Sequence, residues 1–556
     1  MNKLKLEKYI GAILGAAIGD ALGWPNEQNS NNLSKPILSD KESFRKWVRM
    51  CGGKNWKHEE VIKPGEYSDD TQMIIATARS LRYKKNWSQY FSKIELPSWS
   101  VYERGGGRAT KASAEILKKG VMPWDATANS INNLKKYFAS GGNGVAMRIL
   151  PHIFGNEEKP GDVMNQVVLN GIFTHGHPRA LIGATLYADA LICISNYTGI
   201  LKYGELVDIL LNRKNIWGEI PKIPELLMWI DNANKVTKSN YLELWNDTVN
   251  EVIALLNIAK EGLSLGALDA GNDTLEKLGC FERNNGAGTI TAVISVYLFS
   301  KYASNPNLGI VEAAYLKKAD TDTLASMVGG LLGMLHSNEW IIPKWCSIQD
   351  CEFLKRITKD ITENYEAESI ETKKLLIDDS KRSIKDQLKN IKVGDKLAFA
   401  PFNTLTLLEK IYNKTNSKNI AVNTLKFISD EGQTIFIKTF GKALILSENA
   451  IKNENTDFEL NKINPKFKET QNMANDDKMN SIIITANKLR SFVNILPDNL
   501  PTDQYLLLIS DIMIELERVG IRNFGDRSLY ILKKRWNGFN ITDVHINKIV
   551  QILLKY

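Results

Sequence analysis

The sequence predicts an all-α domain over residues 1–345, followed by a smaller mixed α+β domain over 346–556. Apolar residues recur at helical spacing from the N-terminus to about His336, with little strand-like alternation. The composition changes after Trp345, and period-two alternation then appears in NTLKFIS and QTIFIKTFGKALIL between Lys418 and Leu446. The chain, at 556 residues, is also too long for one ordinary core.

The first helix is written in IGAILGAAIGDALGWPNE, where Gly11, Gly15, Gly19 and Gly23 fall on one face. Such a face lets a second helix approach closely, and the segment is expected to stop near Gly23-Trp24-Pro25. Asn26 to Gly65 reads as a polar excursion with one short helix. Ser68-Asp69-Asp70 then opens an amphipathic helix, TQMIIATARSLRY. Further helices are expected at Ala112–Lys119, Pro151–Phe154, Ala180–Ser195, Leu242–Leu265 and Gly288–Lys301. In the second domain Lys355–Lys392 is a charged helical stretch. Asn449–Asn480 resembles a linker, and Asp503–Val519 and Val544–Tyr556 have apolar helical faces.

Composition narrows the function classes. With 43% hydrophobic and 24% charged residues the chain reads as soluble and globular. A net charge of +8 accommodates an anionic ligand but does not indicate nucleic acid. The run Lys533-Lys534-Arg535-Trp536 reads as a solvated helix end, with a direct nucleic-acid contact of the second domain as the alternative. Five scattered cysteines without Cys-x-x-Cys argue against a disulfide framework or a zinc site. The charged N-terminus has no secretory pattern, and no apolar stretch is expected to span a membrane, so a cytoplasmic location is expected.

Two segments, PGEYSDDTQM and KADTDTLASM, each place two carboxylates and a hydroxyl at the mouth of a helix. Adjacent carboxylates repel unless a cation neutralises them, and an oxygen-only donor set suits a hard cation such as Mg²⁺. Asp, Ser and Thr are also the preferred helix caps, so both readings stand at this point. SGGNGVAMRI offers backbone N–H groups to an anion or makes a plain tight turn. In FTHGHPRA, His175 and His177 either face a base or cap the helix that begins near Pro178. Glu27, just past the glycine-faced helix, could position a water if delivered beside metals.

These segments, in this order over about the first 60% of the chain, resemble the ADP-ribosylglycohydrolases: GAILGAAIGDALGWPNE, PGEYSDDTQM, GGNGVAMR, THGHPRA and KADTDTLASMVGGLLG. The resemblance implies an all-α orthogonal helical bundle with two Mg²⁺ ions in a central cleft. It implies one metal cluster of Ser68, Asp69 and Asp70 and another of Asp320, Asp322 and Thr323. Glu27 matches the glutamate placed by the metals in serine-specific members, and Glu27, Asp69 and Asp322 are the implied catalytic residues. Ser140, Gly142, Asn143, Gly144 and His175 are the implied substrate contacts, with Met147 and Arg148 as structural support. Lys317-Lys318-Ala319 replaces the small residues that usually precede the second cluster. Ser140-Gly141 replaces a frequent aromatic, and ERGGGRATKAS offers no obvious counterpart to the acidic base of one subgroup.

The implied activity is Mg²⁺-dependent hydrolysis of the N- or O-glycosidic bond between ADP-ribose and an acceptor, with an ADP-ribosylated protein, nucleic acid or small molecule as substrate. The alternative is a catalytically inactive ADP-ribose-binding or structural protein. The second domain is expected to recruit the modified target.

Overall fold

In the computed structural model the described residues are 3–27, 40–52, 56–266, 272–363, 387–388, 390–415 and 420–442, with single positions between 508 and 550. Contacts divide the chain into two compact units, Met1–Leu444 and Ile445–Tyr556. The expected boundary at 345/346 falls inside the first. In the second unit Leu508, Ile512, Ile546 and Val550 are helical and buried. The expected linker Asn449–Asn480, the stretch 364–386 and the residues Lys534-Arg535-Trp536 lie outside the described residues.

The helices that shape the site are α1 (Lys3–Glu27), α2 (Asp69–Leu81), α3 (Arg108–Leu117), α4 (Ile131–Phe138), α5 (Pro178–Asn196), α6 (Gly288–Tyr302), α7 (Thr321–His336) and α8 (Cys351–Thr362). The central contact runs antiparallel between α1 and α7. A Cβ added at Gly15 would fall 2.2 Å from the carbonyl oxygen of Gly329, and one at Gly19 would fall 2.0 Å from that of Ala325. No side chain fits there, so backbone packs on backbone and the two helices have a single spacing.

The expected stop at Gly23-Trp24-Pro25 is corrected by a few residues, because α1 continues to Glu27. Proline lacks an N–H, but the last turn is fastened from outside. Thr321 Oγ1 donates to the Gly23 carbonyl at 2.9 Å, and Asn26 Nδ2 donates to the carbonyl of Ala314 at 2.7 Å.

The excursion after α1 is also corrected. Among its described residues it holds an antiparallel hairpin, β1 (Trp47–Cys51) with β2 (His58–Ile62), paired from Trp47↔Ile62 to Cys51↔His58. Each strand is only five residues long, too short for alternation to stand out, and its buried Trp47 and Ile62 pack on Trp24. Among the described residues one helix, α5, is long and apolar enough to cross a membrane, contrary to the expectation that none would be, but it is buried within the helical body.

A four-stranded antiparallel sheet follows, in the order β3 (Lys396–Phe399), β4 (Phe402–Asn413), β5 (Ile420–Ser429) and β6 (Thr434–Lys442). The two alternating segments became β5 and β6; β3 and β4 were not expected. The burial of β4 loses its alternation after Leu407, near the register shift between Leu407 and Glu409, which blurs the signal. Leu405, Leu407, Phe427, Ile435 and Ile437 share a core with Phe91, Trp99 and Tyr102 of the helical body. Polar ties reinforce it: Arg79 donates to Gln433 at 2.7 Å, and Asp350, just before α8, accepts from the Thr434 N–H at 3.0 Å.

Candidate active site

At the start of α2 the capping and ligand readings separate residue by residue. Ser68 is the N-cap, its Oγ accepting from the Asp70 N–H at 3.2 Å. Asp20, fully buried on α1, accepts from the Ser68 N–H at 3.0 Å, the Thr71 N–H at 3.0 Å and the Thr71 hydroxyl at 2.6 Å. The N–H groups of Ser68, Asp70 and Thr71 are thus met by Ser68 and Asp20. Asp69 and Asp70 are left free of capping duty, and Asp70 Oδ2 is buried with no hydrogen-bond partner. An ionised oxygen in that position is costly unless something positive approaches it.

At the start of α7, Asp320 occupies the N-cap position but its side chain makes no capping bond. Its Oδ2 instead accepts from Asn143 Nδ2 at 2.9 Å. Asp322 accepts from the Thr323 N–H at 2.9 Å, and the Thr321 bond to Gly23 locks this turn to the end of α1.

Both helix starts open into one cleft of about 940 Å³, lined by Glu27, Asp69, Asp70, Asp320, Asp322 and Thr323, by Ser140 and Gly142–Gly144, and by His175. Arg108, Lys119 and Lys136 add basic groups to the same lining. Burial first, then mutual repulsion, pushes the carboxyls of Asp69, Asp70 and Asp322 well above the usual range. Glu27 lies at the exposed end of α1, yet its carboxyl is raised to about 7 by burial and by Asp320, against the opposing pull of Arg49.

Among the described residues no three His, Cys, Asp or Glu side chains converge into a ready-made metal cage. Mg²⁺ does not require one, since it keeps several waters and is held by one or two carboxylates. Crowded carboxyls, an unpartnered Asp70 oxygen and an all-oxygen donor set fit a hard divalent cation.

The glycine-rich turn is fixed against the loop before α6. The Asn143 N–H donates to the Gly286 carbonyl at 2.9 Å, and the Gly288 N–H to the Gly141 carbonyl at 3.0 Å. Asn143 Nδ2 also reaches Thr291 at 3.2 Å, so this side chain ties the turn to the second acidic cluster. A Cβ at Gly144 would meet His175 at 2.9 Å, which is why the turn cannot carry a side chain there.

His175 is buried beside it and held neutral, its pKa lowered to about 3 by burial and by Arg148, with Nδ1 on the Thr174 hydroxyl at 2.8 Å. His177 is a helix cap, Nδ1 accepting from the Arg179 N–H at 3.2 Å. The Ser140 hydroxyl donates to the Lys136 carbonyl at 2.7 Å and so ends α4 as well as lining the cleft. Arg148 is buried support, bonded to the Gly144 and Asn170 carbonyls at 2.9 Å.

Three residues that sequence reasoning did not assign also belong to this neighbourhood. Asp20 organises α2; a lone Asp on an apolar glycine-faced helix was its signal. Glu103 accepts from the Gly105 and Gly106 N–H groups at 3.1 and 2.8 Å, and is the neighbouring charge that most raises Asp69. Arg49, on the unexpected hairpin, lies beside Asp69 at Gly105: the Cβ position there is 2.8 Å from Asp69 Oδ1 and 3.7 Å from Arg49 Nη2.

The chain matches the family described as ADP-ribosylglycohydrolase over residues 1–371. It is similar to the ADP-ribosyl-[dinitrogen reductase] glycohydrolase of Rhodospirillum rubrum, with 28% identity over 183 residues. That match takes in 31% of this chain and 52% of the relative, so the chain spans about half the length of the relative it matches. A solved structure titled ADP-ribosylglycohydrolase-related protein complex is 18% identical, with a TM-score of 0.41, covering 66% of this chain and all of that one. By the family match, which takes in well over half of its length, the chain belongs to the ADP-ribosylglycohydrolase family.

Proposed function

We propose that the cleft hydrolyses the glycosidic bond linking ADP-ribose to an N- or O-acceptor, with two Mg²⁺ ions held by Asp69, Asp70 and the Ser68 hydroxyl, which keeps a second lone pair beside its capping bond, and by Asp320, Asp322 and Thr323. The observation that carries this is the meeting of two acidic helix starts, far apart in sequence, in one cleft where Asp70 Oδ2 is buried without a partner. Bound magnesium would supply positive charge to grip the distal ribose hydroxyls and to offset charge developing at the reacting carbon. Glu27, raised to about 7, is suited to take the proton of the attacking water at neutral pH. Asp69 and Asp322 stabilise the oxocarbenium-like ribose electrostatically. The Gly142–Gly144 turn receives the diphosphate, and neutral His175 faces the ligand without adding charge.

The substrate is an ADP-ribosylated protein, nucleic acid or small molecule. Release of ADP-ribose from modified acceptors, measured with and without EDTA and against Asp322→Ala, tests the reading. Chelation or the substitution is expected to lower the rate at least about a hundredfold. Equal release in all three would falsify it.

A further inference from the structure

Glu60 gathers three cations from three parts of the chain. Arg49, its direct cross-strand partner in the hairpin, lies 3.6 Å away. Arg104, just before Gly105, donates from Nε at 3.2 Å, and Lys438 on β6 donates at 2.8 Å. Burial pushes the Glu60 carboxyl up, but Arg104, Lys438 and Arg49 overcome this and hold it well below the usual range. Arg104 has a second anion, Glu66, at 2.8 Å.

Among the described residues Arg49 has no such second partner within ion-pair distance. Its guanidinium stacks 5.5 Å from the Trp24 ring, its nearest carboxylate is Glu60, and its Nη2 shares the space beside Gly105 with Asp69. Asp69 and Glu27 both feel its charge. A guanidinium and a divalent cation would therefore compete for the same carboxylate face.

We propose that Glu60 is a positioning residue: it holds the Arg49 guanidinium back from Asp69, leaving that carboxylate open to a metal ion, and Lys438 brings the sheet into the hold. This rests on the proposed metal site. It gives the C-terminal sheet a part in the cleft without any of its residues lining it.

The test is a double-mutant cycle on the full chain, read as Mg²⁺ affinity by calorimetry beside melting temperature. Glu60→Gln frees Arg49 and is expected to weaken Mg²⁺ about tenfold, the scale of lost outer-sphere support. Arg49→Met removes the competitor and is expected to strengthen Mg²⁺ binding. In the Arg49→Met background, Glu60→Gln is expected to have no further effect on affinity, whatever it does to melting. A Glu60→Gln loss that persists undiminished in the Arg49→Met background, or weaker binding in Arg49→Met alone, overturns the proposal; the second outcome decides it even if Glu60→Gln fails to fold. If the wild-type chain takes up no Mg²⁺, the metal reading itself falls and this inference with it.

Discussion

The contact between α1 and α7 is backbone against backbone, whereas the hairpin meets the sheet through a charge cluster as well as a backbone bridge and the Trp56 ring on Phe440. Both serve the same cleft. In the first, Gly15 and Gly19 leave no room for a side chain, so the spacing between Glu27 and the Asp320–Thr323 turn has one value. In the second, Glu60 balances Arg49, Arg104 and Lys438, and the position of each cation depends on the others. A steric contact fixes geometry and tolerates nothing. A charge cluster sets geometry by competition and can be tuned one partner at a time.

The steric side should break hardest. Gly19→Leu would drive a side chain into the Ala325 carbonyl and is expected to cost about 3 kcal/mol or more in denaturant unfolding, with activity lost alongside. Asp322→Ala separates function from fold. ADP-ribose release should fall at least about a hundredfold, while the metal-free melting temperature holds or rises, because one of several repelling carboxylates is gone. A melting temperature that falls in step with activity would count against the metal cluster.

The pH dependence of the metal-free protein sharpens the same point. The Glu27 carboxyl is raised from 4.5 to about 7, so the native state holds a proton the unfolded chain has already released. Stability in EDTA should then decline as pH rises through that window, and Mg²⁺ should restore it at neutral pH; thermal melts across the range check both. A flat profile would mean that the carboxylates are not crowded in solution.

Asn143→Ala removes the donor between the glycine turn and Asp320. Its expected cost is about 1–2 kcal/mol, read as roughly a tenfold drop in kcat/KM. His177→Ala should be the mildest: a cap loss of about 0.5–1 kcal/mol in stability with turnover unchanged, which distinguishes it from His175.

Much of the helical body was legible because its signals are local. The 3.6-residue periodicity marked α5, α6 and the helix Tyr241–Leu265 within a few residues of their observed ends. The four-residue glycine spacing announced a close helix contact before its partner was known. The hairpin and the strands β3 and β4 were not read. The hairpin strands are short, and β4 carries an irregular register, so neither shows clean alternation. Arg49 stayed hidden for another reason: an exposed arginine and one that stacks on Trp24 beside an acidic cleft look the same in sequence.

By itself, then, the sequence determined the helices, the two acidic helix starts, the glycine turn and the family resemblance, since each is a pattern over a few neighbouring residues. Only the tertiary structure decided how the acidic residues divide their work. Ser68 and Asp20 take the capping bonds and leave Asp70 with an unpartnered oxygen, while Asn143 holds Asp320. That division depends on which donors arrive from elements distant in the chain, and no local pattern encodes it.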